Sequence, residues 1–119
     1  MKKVCLVLGA GRGIGATVAE KFALEGLHSH LCRRSDDDAL QESLNQIKSK
    51  GGEASGELIN AIDDGVIEKT IESVEKDIGP IEVLIYNLGA QSGMKLLDET
   101  SYKEFEWGWR MASFGLFRA

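Results

Sequence analysis

The stretch Val4-Cys5-Leu6-Val7-Leu8-Gly9-Ala10-Gly11-Arg12-Gly13-Ile14-Gly15 decides how the chain is read. Its first five residues are all apolar, the pattern of a strand buried on both faces. Gly9 interrupts that run, and Ile14 opens a helical period. Strand, glycine-rich turn and helix, in that order, are the context a dinucleotide-binding turn requires. Glycine permits positive φ and lets a backbone approach a pyrophosphate closely. The free N–H groups and positive dipole end of the following helix hold negative charge. Gly9, Gly11, Arg12, Gly13, Ile14 and Gly15 are therefore candidate cofactor contacts. Tight strand-to-helix turns also use glycine for steric reasons alone, so the flanking strand and helix carry the argument.

Outward from this turn, strand and helix alternate to the end of the chain. The first strand is expected over 3–8 and the first helix over 13–25, with Ile14, Val18 and Phe22 recurring every four residues and Gly26 as the stop. A second strand spans 27–32. A second helix follows Ser35, with Asp36, Asp37 and Asp38 in its first turn and Lys48 and Lys50 near its end, both complementing the helix dipole. Leu40, Leu44 and Ile47 form its apolar stripe. A third strand is expected over 54–60 and a third helix over 64–78, capped by the Asp63-Asp64 pair, with Val66, Thr70, Ile71, Val74 and Ile78 inward. Gly79-Pro80 ends it. A fourth strand, 81–86, reads as buried, and a loop with Gly89 and Gly93 follows. The fourth helix starts near Thr100 or Ser101, where Ser101-x-x-Glu104 makes a capping box. It carries Phe105, Trp109 and Leu116.

This is a βαβαβαβα pattern, which predicts an α/β fold: a Rossmann-like, doubly wound parallel sheet with strand order 3-2-1-4. The 119 residues suffice for one domain and not for two. Strand four would be an apolar, unpaired edge, a liability unless another strand covers it. The expectation is a partial, apparently truncated domain over 1–119, completed by the rest of a longer chain or by a partner. Net charge is −5, which argues against a general nucleic-acid or membrane-surface role. No apolar run reaches transmembrane length, and the one after Met1-Lys2-Lys3 is too short for a signal-peptide core. Cys5 and Cys32 lack metal-like spacing and read as buried reduced thiols of a cytoplasmic protein, a disulfide being the alternative. His28 and His30, on strand two without a nucleophile partner, read as structural.

Tyr86-Asn87-Leu88-Gly89-Ala90 stands at the end of strand four. Together with Leu8–Gly15 it resembles the short-chain dehydrogenase/reductase family, which pairs a Gly-x-x-x-Gly-x-Gly turn after strand one with an Asn-Asn-Ala-Gly-type motif after strand four. Asn87 and Gly89 match that motif; Tyr86 replaces the first asparagine and Leu88 the alanine. Gly79-Pro80-Ile81-Glu82-Val83-Leu84 also fits, so the resemblance runs through nearly the whole chain. Physically, Asn87 can tie neighbouring backbones together, and Gly89 leaves room for a ribose.

The resemblance implies a nicotinamide cofactor, and the end of strand two chooses which. An acid there favours NAD(H), a base the 2′-phosphate of NADP(H). The sequence is Cys32-Arg33-Arg34-Ser35, with no acid at the strand end. Arg33, Arg34 and Arg12 together favour NADP(H), since an arginine fork suits phosphate; Asp36 is the candidate if NAD(H) binds instead. Asn60 stands where the family usually has an aspartate near the adenine. The family's proton relay uses Tyr-x-x-x-Lys, in which the lysine lowers the tyrosine's pKa. No such pair occurs here: Ala90 follows Tyr86 at +4, and Glu106 follows Tyr102. The helix-four asparagine, placed three residues before a glycine, is Ala112 in this chain, beside Ser113.

The leading expectation is the cofactor-binding portion of an NADP(H)-dependent oxidoreductase acting on a carbonyl or alcohol, with no catalytic residue among these 119. The alternative is a nucleotide-binding or interaction module without catalysis. A third, a methyltransferase with a Rossmann-like turn, is opposed by the motif at 86–90. By the resemblance, Trp107, Trp109, Phe105, Phe114 and Phe117 belong to packing or to a homo-oligomer contact through helix four.

Overall fold

The computed structural model describes residues 2–88 and 95–119. Strand β1 (Val4–Leu8) is the centre of the sheet, and all five of its side chains are fully buried. Its neighbours are β2 (His28–Arg33) on one side and β4 (Ile81–Tyr86) on the other, and β3 (Glu53–Leu58) pairs with β2. Every pairing is parallel, and the order is β3-β2-β1-β4, as the sequence led one to expect.

Because side chains alternate across a strand, β1 feeds two cores. Cys5 and Val7 face helices α1 (Ile14–Leu24) and α2 (Asp37–Ser49), packing with Ala19, Ala23, Leu40, Leu44 and Ile47. Val4, Leu6 and Leu8 face α3 (Val66–Asp77), packing with Ile67 and Val74. A fully buried leucine or valine in such a layer contributes about 1.5–3 kcal/mol relative to exposure. The stripe on α2 falls where periodicity puts it. The stripe on α1 does not: Ile14 is 70% exposed, and the buried face is Gly15, Ala19 and Ala23. Small residues win there because α1 lies close to the β1 turn. A Cβ on Gly15 would stand 2.8 Å from Ala10 Cα.

Three further differences concern element ends and edges. Helix α3 starts at Val66 with Gly65 at its N-cap and no side-chain cap, so Asp63 and Asp64 do not cap it. Asp64 Oδ1 instead accepts from Arg118 Nη2 at 2.6 Å, a partner 54 residues away. Strand β4 is half-exposed rather than buried, since nothing covers its outer side among the described residues. The fourth helix is not continuous: α4 (Tyr102–Trp109) runs into one π-helical turn (Arg110–Phe114) and then α5 (Gly115–Arg118). The capping box forms as expected, with Glu104 N–H donating to Ser101 Oγ at 3.1 Å and Ser101 N–H to Glu104 Oε2 at 3.2 Å.

Candidate functional site

The C-terminal ends of β1, β2 and β4 meet at the glycine-rich turn. Gly9 and Ala10 N–H both donate to the Cys32 carbonyl, at 2.9 and 2.8 Å, so β2 holds the turn from below. Asn87 holds it from the other side: its N–H donates to Leu8 O at 2.8 Å and its Nδ2 to Gly9 O at 3.2 Å. Two of the turn's glycines have distinct reasons to be there. Gly9 has φ +92°, and a Cβ on it would lie 2.5 Å from Asn87 O, so that position is closed. Gly13 has φ +101° and open space where a Cβ would point. Helix α1 begins directly after Gly13, with no side-chain cap and no acid in its first turn. Its first N–H groups and dipole thus face the open side of the turn.

A groove of ≈ 270 Å³ runs along this turn, lined by Gly9, Gly11, Arg33, Arg34, Ser35 and Asn87. It brings together residues from the first turn, the end of β2 and the end of β4. Arg33 is the last residue of β2 rather than the first beyond it, which explains its partial burial. Its Nη1 is buried and has no hydrogen-bond partner among the described residues. A buried guanidinium nitrogen without an acceptor is costly. Asp36 does not answer it. That residue is the left-handed N-cap of α2, at φ 67°, and its Oδ1 accepts from Ala39 N–H at 3.1 Å.

Beside the groove lies a smaller apolar slot that Asn60 shares with Leu8, Cys32, Ile59, Ala61 and Ile62. Strand β3 ends at Leu58, so Asn60 sits in the loop beyond it, where its Oδ1 faces Ile62 N–H at 3.4 Å. Arg12 and Ile14 are exposed, and Arg12 lies 3.8 Å from Glu42 across the cleft between α1 and α2. Arg12 is thus separate from the groove that Arg33 and Arg34 line. Gly89 lies outside the described residues.

Residues 3–119 match the family model described as short chain dehydrogenase. The chain belongs to the short-chain dehydrogenase family. Its sequence is 33% identical over 91 residues to a putative ketoacyl reductase of Streptomyces coelicolor, covering 76% of this chain and 34% of that protein. Its fold superposes on an actinorhodin polyketide ketoreductase solved with NADPH (TM-score 0.89, 29% identity, 98% of this chain and 44% of that one). It also superposes on L-sorbose reductase from Gluconobacter frateurii, solved with NADPH and L-sorbose (TM-score 0.87, 26% identity, 98% and 44%). The chain therefore spans between a third and a half of the length of these relatives.

Against the short-chain dehydrogenase pattern, two substitutions meet at the fourth helix. Tyr86, in place of the motif's first asparagine, reaches the fourth helix and donates its hydroxyl proton to Met111 O. The carbonyl it uses belongs to the π-helical turn, and Gly115 leaves space for the phenol. Burial pushes the Tyr86 phenol above its ordinary pKa of 10.0. Ala112 lies in the same turn and brings no polar side chain. Sequence periodicity does not show this bond, because its partners stand 25 positions apart.

Proposed function

We propose that residues 1–119 form one NADP(H)-binding unit of a short-chain oxidoreductase that acts on a carbonyl or alcohol. The observation that carries this reading is Arg33 Nη1, a buried cationic donor without an acceptor beside a groove walled by glycine backbone. A 2′-phosphate supplies the missing acceptor. Gly13 and the uncapped start of α1 would hold the pyrophosphate, Arg33 and Arg34 the 2′-phosphate, and Asn60 would face the adenine. Gly9, Gly15 and Asn87 would keep the turn in shape, with Gly11, Arg12 and Ile14 at its rim; Gly89 remains a candidate contact on the sequence motif alone. The bound cofactor supplies or accepts a hydride at a carbonyl or alcohol carbon of a small molecule. Asp36 is committed to its helix cap, which supports NADP(H) over NAD(H). The NADPH-bound ketoreductase and sorbose reductase point the same way.

Among the described residues no helix is long and apolar enough to cross a membrane. With the net negative charge and two free thiols, this supports a cytoplasmic protein without nucleic-acid or membrane partners. Tyr102 (97% exposed) and Phe105 (70%) on α4 support a homo-oligomer contact through that helix. A second reading, dinucleotide binding without turnover, is favoured by Ala112 at the helix position where the family carries asparagine.

Calorimetric titration with NADPH and NADH at matched ionic strength tests the proposal. NADPH binds more tightly, and Arg33→Asp weakens NADPH by about 10- to 100-fold, the worth of a charge-assisted hydrogen bond, while barely changing NADH. Equal loss for both cofactors overturns the 2′-phosphate assignment. Folded protein that binds neither overturns the reading as a whole. Oxidation of bound NADPH when carbonyl compounds are added distinguishes the first reading from the second.

A further inference from the structure

A second group of chemistry-bearing side chains lies on the α3 face of the sheet, where β2 meets the outer strand β3. The register pairs His28 with Glu53, His30 with Ser55 and Cys32 with Glu57. With a side-chain period of two, all six project from one face. His30, Cys32 and Glu57 each offer one ligand atom, and these atoms lie within 4.8 Å of one another. His30 is 7% exposed and Cys32 1%, whereas Glu57 stands at the solvent edge. We propose that His30 Nε2, Cys32 Sγ and a Glu57 carboxylate oxygen form a site for a divalent cation of the zinc type, which clips β3 to β2.

The donor set suits that ion. Zinc takes imidazole, thiolate and carboxylate together, in a tetrahedron whose ligand atoms are about 3.5 Å apart. His30 Nε2 and Glu57 Oε1 already lie 3.2 Å apart. A thiolate and a carboxylate together cancel the charge of a divalent ion, so the filled site is neutral where it is buried. Glu57 has no ion-pair partner other than His30 among the described residues, and its exposed side leaves the fourth position to water.

Hydrogen bonding behind the histidine supplies the orientation. Ser55 Oγ lies 2.7 Å from His30 Nδ1 and 2.7 Å from His28 Nε2. A hydroxyl has one proton, so Ser55 donates to one ring and accepts from the other. When it donates to His28 and accepts from His30 Nδ1–H, the His30 Nε2 lone pair faces Glu57 and Cys32. The Glu57 carboxylate has no proton to offer that lone pair and the Cys32 thiol is only a weak donor, whereas a cation satisfies it fully. This is the outer-shell arrangement that fixes the tautomer of metal-bound histidines. On binding, Cys32 releases its proton to solvent and its sulfur joins the ion; no electron moves.

Cobalt(II), titrated into the purified, reduced protein, tests this optically. One equivalent should bind with a thiolate-to-cobalt charge-transfer band, and zinc(II) should displace it. Cys32→Ser should abolish the band. Glu57→Gln keeps the size and polarity of the side chain at the exposed edge but removes its charge, and should weaken cobalt at least tenfold, and Ser55→Ala by about tenfold. Zinc should also slow amide exchange across residues 53–58. Absence of the band overturns the proposal, as does its survival in Cys32→Ser, which would assign it to Cys5 on the opposite face. If Cys32→Ser does not fold, the Glu57→Gln titration decides, and unchanged cobalt affinity there overturns the site.

Discussion

At the scale of single residues, the glycine-rich turn separates positions that look alike in sequence. Gly13 needs its positive φ and faces open space, whereas Gly9 is pressed against Asn87 O. Gly13→Val should therefore strain the backbone without a clash, at a cost of about 1–3 kcal/mol for a conformation (φ 101°, ψ −125°) that glycine alone adopts readily. It should still cut dinucleotide affinity by more than tenfold, read by calorimetry. Gly9→Val should lower the unfolding midpoint far more, because backbone must move. The glycine spacing was legible from the sequence, but which glycine is pressed against packed backbone and which faces open space was not. That difference lies in the approach of Asn87, 78 residues away. Arg33 was legible as a cation at a strand end. Its orphaned Nη1 was not, since burial follows from β2 extending one residue further than its hydrophobic run indicates.

At the scale of elements, the fourth helix shows local and long-range control side by side. Its start is local: Ser101-x-x-Glu104 forms the capping box, and Ser101→Ala should cost about 1 kcal/mol, seen as faster amide exchange at the start of α4. Its interruption coincides with a long-range contact. The π turn contains the carbonyl that Tyr86 uses, so Tyr86→Phe leaves that carbonyl without its donor and should destabilise by about 1 kcal/mol in denaturant melts. The same pair predicts an alkaline effect. The Tyr86 pKa is raised on folding, so its contribution is complete below the unfolded value of 10.0 and is lost as pH rises through the folded value. Burial raises the thiols of Cys5, to about 11, and Cys32, to about 12, which act in the same direction. The decline in stability above pH 10 should therefore be shallower in Tyr86→Phe than in the parent, and unchanged steepness would remove Tyr86 as its source. Further along, Arg118 lies 4.3 Å over the Phe114 ring and pairs with Asp64, which joins α5 to the loop before α3.

At the scale of the whole molecule, apolar surface is unevenly distributed. The sheet interior is closed around β1, yet Leu84 on β4 and Tyr102, Phe105, Trp109 and Phe117 in the last third of the chain are open to solvent. Trp109 meets Phe114 edge-on at 5.0 Å, a packing contact rather than a stacking platform for a ligand. An apolar strand edge and an apolar helix face promote association. Sedimentation should show concentration-dependent assembly, and Phe105→Glu with Tyr102→Glu should shift it toward smaller species without altering the circular-dichroism spectrum.

The sequence alone determined the alternation of strands and helices, the parallel order 3-2-1-4, the buried central strand, the α2 stripe and the α4 cap. Each is written in contiguous residues, as an apolar run, a helical period or a capping motif, and the physics behind each acts within a few residues. Only the tertiary structure decided which face of α1 is buried, where Asp64 finds its partner, that Tyr86 reaches the π turn of the fourth helix and that His30, Cys32 and Glu57 converge. These depend on strand register and on the closeness of packed layers. A one-residue change of register turns every side chain of a strand to the other face, and nothing in a local period records that choice.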